Sequence, residues 1–506
     1  MLKKITKLAA KSIYLSIYLS IYLSIYLSIY LSIYLSILCY CLSSILFASK
    51  VIFGNYSINQ LIFHTIFLKD SLSVIPWYTV LQITFGMILI ILLGLLIFYT
   101  KQYSPNLRLG KYGLSCILYF LVSFCFFSFS YAPNMFAEKH SMVDYADIKS
   151  VLNVFRYSNF YEQNYVDGNT LKFQTENKKN IVILFVESLE QSFSNKQIFG
   201  ENLLSDLENE KGLSFSGYNN VPGTNWTIAS HVSTLCGVPL VMYFQSIGNT
   251  KGEKKFLPNL YCVSDWFDEH GYYTYFAQSS YMEFVGTSEF VRLHGFKKAE
   301  GGFDLVNRNP AIFIKQTSNN EYRAIKDRAF FEIFKSKITK IANSNKNFFI
   351  SGTTLDTHFP LGYHDDKCTQ KYGDMRDVVK CTSFQVAEFI DWFKKQSFYD
   401  DTILIVTGDH LMMPSNIEYL LQQVPTRKTY NIVIGKNIKE QIIYKQFNQF
   451  DWAPTILELA GVKWQNHSFG LGTSLLSSEP TLVEKYGAKI LEQELAKNSK
   501  VYESFL

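Results

Sequence analysis

Charge is absent from residues 12 to 48. An apolar run of that length has no reason to stay in water, since a bilayer core needs only roughly 20 such residues. A secretory signal peptide is excluded, because its apolar region is far shorter. Within the run, six copies of Ser-Ile-Tyr-Leu extend from Ser12 to Leu35. A four-residue repeat advances about 400° on a helix of about 100° per residue, so the serines drift round the axis and build no fixed polar face. That excludes a pore lining and leaves a low-complexity anchor. A basic run is also missing, and the net charge of +5 is small for 506 residues. No nucleic-acid partner is indicated.

The apolar character continues through residue 131, and two further spans are expected at 74–99 and 113–131. Between the first two, Val51 to Lys69 is amphipathic and interrupted by Gly54, Asn55 and Asn59, which suits the membrane surface better than a crossing. Lys3, Lys4, Lys7 and Lys11 precede the first span, and Lys101, Arg108 and Lys111 lie between the second and third. Only Lys50 and Lys69 occupy the other loop. The positive-inside rule then puts the N-terminus in the cytoplasm and everything after Tyr131 outside. Residues 132–178 read as a juxtamembrane linker, and 179–506 as the extracytoplasmic catalytic domain. Of eight cysteines, Cys39, Cys41, Cys116 and Cys125 fall in apolar segments. Cys236, Cys262, Cys368 and Cys381 fall in the soluble part, where an oxidising compartment allows three pairings. Cys368–Cys381 closes a short loop, and Cys236–Cys262 ties the segment after Thr227 to the next helix.

Beyond the linker the pattern alternates. Ile181–Val186, Tyr272–Phe276, Phe348–Ser351, Thr402–Val406 and Tyr430–Ile434 are short apolar runs rich in branched or aromatic side chains. Helix-like stretches such as Ser383–Lys395 and Ala453–Ala460 lie between them. Buried strands alternating with helices predict an α/β sheet with helices on both faces. Ligands bind such sheets at the carboxyl ends of the strands.

Two strands run into metal-ligand residue types there. One leads to Glu187, the other through Thr407 and Gly408 to Asp409-His410. Each alone reads equally as a helix start or a surface turn. Together they set two carboxylates and an imidazole on one rim, a mixed set suited to zinc, manganese or magnesium. The segment Pro222-Gly223-Thr224-Asn225-Trp226-Thr227 presents a hydroxyl at a helix start, beside free backbone N–H groups that can cradle a phosphate. A plain N-cap role for Thr224 or Thr227 explains the same pattern. His358 follows the strand at 348–351 in the same manner.

The succession Glu187, Thr227, His358, Asp409-His410 resembles the alkaline phosphatase and sulfatase superfamily. More narrowly it resembles the membrane-bound phosphoglycerol transferases of osmoregulated periplasmic glucans, relatives of the lipoteichoic acid synthases. The resemblance lies in Phe185-Val186-Glu187-Ser188-Leu189-Glu190, in Val221 to Ala229, and in Leu355-Asp356-Thr357-His358. It continues in Gly408-Asp409-His410-Leu411 and in Asp451-Trp452-Ala453-Pro454-Thr455-Ile456-Leu457, over roughly residues 175–480. It implies an alkaline phosphatase-like α/β fold behind a transmembrane helical anchor in the bacterial inner membrane, with the catalytic domain periplasmic. It implies that Glu187, Thr227, Asp409 and His410 hold one divalent ion, manganese first and magnesium or zinc as alternatives. Thr227 would be the nucleophile. His358 would contact the substrate's phosphate region, and the implied donor and acceptor are phosphatidylglycerol and a glucan or related glycan.

One segment departs from the pattern. Relatives carry a basic residue where this chain has Phe284-Val285-Gly286-Thr287-Ser288, and the nearest cation is Arg292, the remaining candidate for substrate binding. A phosphoethanolamine transferase acting on lipid A or glycan would use the same threonine and metal, and a phosphodiesterase would replace the acceptor by water. A non-catalytic binder of anionic glycan or lipid would have no need of a nucleophile. Cys236-Gly237-Val238-Pro239-Leu240 is no sulfatase cysteine motif, which needs proline two residues on and an arginine beyond. The topology is open to a direct check: a reporter active only outside the cytoplasm should work when fused after residue 150 and fail at about residue 105. The opposite pattern would mean that the repeat crosses the membrane twice.

Overall fold

Six consecutive apolar residues, Ile181 to Val186, leave a strand with no face for water, so it must be covered on both sides. A computed structural model of the chain describes residues 156–241, 256–306, 324–344 and 346–506, the strand residues 313–314, and positions 81, 84, 85 and 88. Apart from those last four helical positions, the expected spans lie outside the described residues, as does the segment 51–69. Among the described residues no helix is long and apolar enough to cross a membrane.

The domain is built on a mixed eight-stranded sheet. In chain order its strands are β1 (Asn180–Val186), β2 (Leu213–Phe215), β3 (Tyr273–Gln278), β4 (Lys298–Glu300), β5 (Phe348–Thr353), β6 (Thr402–Gly408), β7 (Asn431–Ile434) and β8 (Gln441–Ile443). Across the sheet they lie in the order β8-β2-β7-β6-β1-β5-β3-β4. Only β7 opposes the other seven, pairing antiparallel with both β6 and β2. The carboxyl ends of β1, β3, β5 and β6 therefore share one rim.

Helices cover both faces. On one side α4 (Asp327–Ala342) and α5 (Met375–Lys394) pack against Val182, Leu184 and Val186 of β1. In α4 the apolar spacing Phe330, Phe331, Phe334, Ile338 makes a single stripe of the kind that seeks a sheet. Helix α5 starts earlier than the sequence pattern suggests, because the Asp374 side chain accepts from the Arg376 N–H and caps it. The opposite face carries α1 (Thr227–Cys236), α2 (Val263–Glu269) and α6 (Trp452–Leu459). There Phe185 meets the His231 ring of α1 at 4.7 Å, and Phe267 of α2 stacks on Phe349 of β5 at 4.3 Å. The sixth helix of note, α3 (Thr287–Leu293), links β3 to β4.

The described part of the expected linker, residues 156–178, is folded onto this domain. Phe160 and Tyr161 are buried, and Gln174–Thr175 pairs with Val462–Lys463. Cys236 is joined to Cys262 and Cys368 to Cys381. The second bridge, between partners 13 residues apart, fastens the loop before α5 to the helix itself. In the chain-entropy account, closing a loop of this size stabilises by about 3 kcal/mol. Changing Cys368 and Cys381 together to alanine should lower stability by about that amount in denaturant unfolding. An unchanged midpoint, or four free thiols in the non-reduced protein, would show that the pairs do not form.

Candidate active site at the carboxyl rim

Register decides which side chains meet. Val186 of β1 lies opposite Gly408 of β6, so the residues that follow, Glu187 and Asp409, emerge side by side. The Asp409 N–H still reaches Val186 O at 3.2 Å. Gly408 cannot be replaced without movement, since a Cβ there would lie 2.0 Å from Leu189 O. Both carboxylates are buried, Glu187 at 1% and Asp409 at 0% exposure.

Ser188 adopts φ +52°, the left-handed region that non-glycine residues seldom occupy. The turn directs its N–H to Asp409 Oδ1 at 2.8 Å and its hydroxyl to Glu187 Oε1 at 2.7 Å. Asp409 Oδ1 also accepts from the His410 N–H at 2.8 Å, whereas Oδ2 is buried without a hydrogen-bond partner. The His410 Nε2 atom lies 3.4 Å from Glu187 Oε1 and 3.4 Å from Asp409 Oδ2.

Thr227 completes the cluster. It is the first residue of α1, and Trp226 before it is extended and provides no side-chain cap. The Thr227 hydroxyl is not used as a cap either: Oγ1 stands 3.4 Å from Glu187 Oε2 and 3.4 Å from His410 Nε2. Thr224, by contrast, is fully buried and donates to Val221 O at 2.8 Å, which shapes the preceding turn. Gly223 supplies φ +83° in that turn, and a Cβ would sit 2.8 Å from Leu240 O. The helix start is held from behind by Gln449, whose Nε2 reaches Ser230 Oγ at 3.0 Å and Thr234 Oγ1 at 2.9 Å.

The electrostatics match a site made for a cation. Burial first, and then the charge of Glu187, push the Asp409 carboxyl up to about 7. Burial lowers His410, but Asp409 and Glu187 outweigh it, and its pKa is raised. The ligand atoms of Glu187, Asp409 and His410 all lie within 4.8 Å of one another. Ligands about 2.1 Å from a common centre in tetrahedral order stand about 3.4 Å apart, so these atoms fit one divalent ion. The unpartnered Asp409 Oδ2 supports the same fit.

His358 stands beside this cluster without joining it. Its loop is bound to β1: Thr354 Oγ1 accepts from the Glu187 N–H at 3.0 Å, and the Thr357 hydroxyl donates to Glu187 O. The His358 ring donates from Nδ1 to Phe359 O at 2.7 Å and is stacked on Phe359. Burial lowers its pKa to about 4, so it is neutral. Arg292 is placed elsewhere. It is exposed in the last turn of α3, which leads away from the rim toward the start of β4. The segment Phe284–Gly286 does lie in the loop after β3, with Tyr281 packed edge-on to Phe284. Residues that the sequence reading did not single out include Ser188, Glu190, Gln449 and Arg427. Glu190 is fully buried and forms an ion pair with the half-buried Arg427.

The chain is 29% identical over 312 residues to "Phosphoglycerol transferase I" of Escherichia coli O127:H6 (strain E2348/69 / EPEC), a match covering 60% of this chain and 39% of that protein. The protein of the same name from Salmonella paratyphi B (strain ATCC BAA-1250 / SPB7) is 30% identical over 313 residues, again covering 60% and 39%. The chain thus spans about two fifths of the length of these relatives. A crystal structure of a protein in the alkaline phosphatase superfamily from Vibrio parahaemolyticus aligns with TM-score 0.50 and 21% identity, covering 65% of this chain and 79% of that one. That likeness shows the alkaline phosphatase-like fold. The family described as Sulfatase matches residues 179–462, which include Glu187, Thr227, His358, Asp409 and His410, and the chain belongs to the sulfatase family.

Proposed function

We propose that this chain is a phosphoglycerol transferase that moves a phosphoglycerol group from a lipid of the phosphatidylglycerol type to a glycan through a covalent threonine intermediate. The observation that carries the reading is the Thr227 hydroxyl, partly exposed at a helix start and 3.4 Å from both Glu187 and His410. A hydroxyl placed as a cap would face its own helix instead. The name shared by the curated relatives supports the choice of group. The long apolar stretch at the N-terminus supports a lipid donor and an inner-membrane location, because it would hold the domain beside lipid head groups.

Glu187, Thr227, Asp409 and His410 would hold one divalent ion, manganese by preference, which would supply Lewis acidity to lower the hydroxyl's pKa and offset charge on a phosphoryl oxygen. Thr227 Oγ1 attacks phosphorus in line, and the bond to the diacylglycerol oxygen breaks. That oxygen takes up a proton, and a phosphoglyceryl-threonine remains. A sugar hydroxyl of the acceptor then attacks the same phosphorus, the bond to Oγ1 breaks, and Thr227 is regenerated. The first N–H groups of α1 have no partner within the helix and face the phosphate oxygens. His358 is neutral, and with Nδ1 committed to Phe359 O it keeps Nε2 for the substrate.

Separately labelled phosphatidylglycerol and phosphatidylethanolamine, given to the full-length protein with a glycan acceptor, test the reading. The expected result is glycerol phosphate on the glycan and diacylglycerol released. Transfer from phosphatidylethanolamine, or free glycerol phosphate with no glycan product, would replace it by the other transferase or by a hydrolase. Thr227→Ala should lower turnover on the order of a thousandfold or more and abolish the covalent adduct, while the protein stays folded. Thr224→Ala should be much milder, and His358→Ala should reduce turnover with the metal still bound. If Thr227 were only a cap, its loss would cost about 0.5–2 kcal/mol of stability and leave transfer near normal. Stripping the metal should stop turnover, and added manganese should restore it.

A further inference from the structure

Glu190 is fully buried three residues after Glu187, and its partner lies far along the chain. The Arg427 Nε atom stands 3.2 and 3.1 Å from its two carboxylate oxygens, and Nη2 also contacts Oε1. The pair does more than neutralise itself. Glu190 Oε1 accepts from the Met412 N–H at 2.9 Å, and Arg427 Nη2 donates to Met412 O at 2.6 Å. Both backbone polar groups of Met412 are therefore gripped, one by each partner.

The gripped N–H belongs to the peptide unit whose carbonyl is Leu411 O. That carbonyl lies 2.9 Å from His410 Nδ1. A carbonyl can only accept, so Nδ1 carries the proton and donates. The other nitrogen, Nε2, is then the atom left to face Glu187, Asp409 and Thr227. A continuous chain runs from Arg427 through Glu190 and the Leu411–Met412 peptide to the tautomer and aim of the His410 ring. We propose that Glu190 and Arg427 are positioning residues for His410, and that their ion pair sets the affinity of the divalent-ion site.

The inference rests on the metal set proposed above, and it is tested by binding rather than by turnover. Metal-stripped full-length protein in detergent is titrated with Mn2+, with free ion followed by its paramagnetic resonance signal. Groups that orient a ligand histidine typically change affinity 10- to 100-fold, so Glu190→Gln and Arg427→Met should each weaken Mn2+ binding by about that factor. Their double variant should be no worse than the weaker single one, because one pair is lost in each case. Arg427→Lys, which keeps the charge but not the forked contact, should recover part of the affinity. Thermal melting of the metal-free variants is run alongside. Variants that fold like the parent and bind Mn2+ with parental affinity overturn the proposal. Variants that do not fold also overturn it, since the pair would then serve the fold and not the ion. A parent protein that binds no divalent ion removes the metal set as well, whereas the labelled-lipid assay judges the transferred group independently.

Discussion

The site depends on one unfavourable pairing held in place: two buried carboxylates, Glu187 and Asp409, each 3.4 Å from the same imidazole nitrogen. Burial disfavours charge, and like charges disfavour each other, so such a cluster exists only where the surrounding structure leaves the groups no alternative. Here the alternative is removed by the β1–β6 register, which fixes where Glu187 and Asp409 emerge. The left-handed turn at Ser188 and the absent side chain at Gly408 then let the two loops close on each other. A cation at this point would turn repulsion into attraction, so the rigid scaffold suits one.

The fold was legible where strands are central. Long apolar runs announce β1, β5 and β6, because a strand covered on both faces can hold almost nothing else. The edge strands β4 and β8, and β2 beside β8, have three residues each and no pattern of their own; their neighbours recruit them. The same logic governs the site. Glu187, Asp409 and His410 stood out because polar residues directly after buried strands face a rim by geometry. Thr227 could be read as cap or nucleophile from the sequence, since both need a hydroxyl at a helix start; its Oγ1 lies 3.4 Å from Glu187 and from His410.

What stayed hidden has a common cause. Glu190 and Arg427 are 237 residues apart, and no local rule connects them. Ser188 looks like any serine until its φ is known. Arg292 illustrates the converse: it is near the loop after β3 in sequence, but a helix of seven residues carries it toward the other end of the sheet. Proximity along the chain was a poor guide wherever a helix intervened.

The reversal of β7 has a consequence for how the enzyme could change over time. Because β6 ends and β7 begins on the same rim, the connection between them, residues 409–430, leaves the rim and returns to it. Its first residues include the candidate ligands Asp409 and His410, and its last stretch bears Arg427. The middle carries the exposed Tyr419, but its Ile417, Leu420 and Leu421 are buried in the main core. Rewriting that middle changes the exposed surface around Tyr419 only if Ile417, Leu420 and Leu421 stay apolar, because they belong to the same core as the central strands and α5. The domain thus carries candidate ligands, core residues and an exposed surface on one loop.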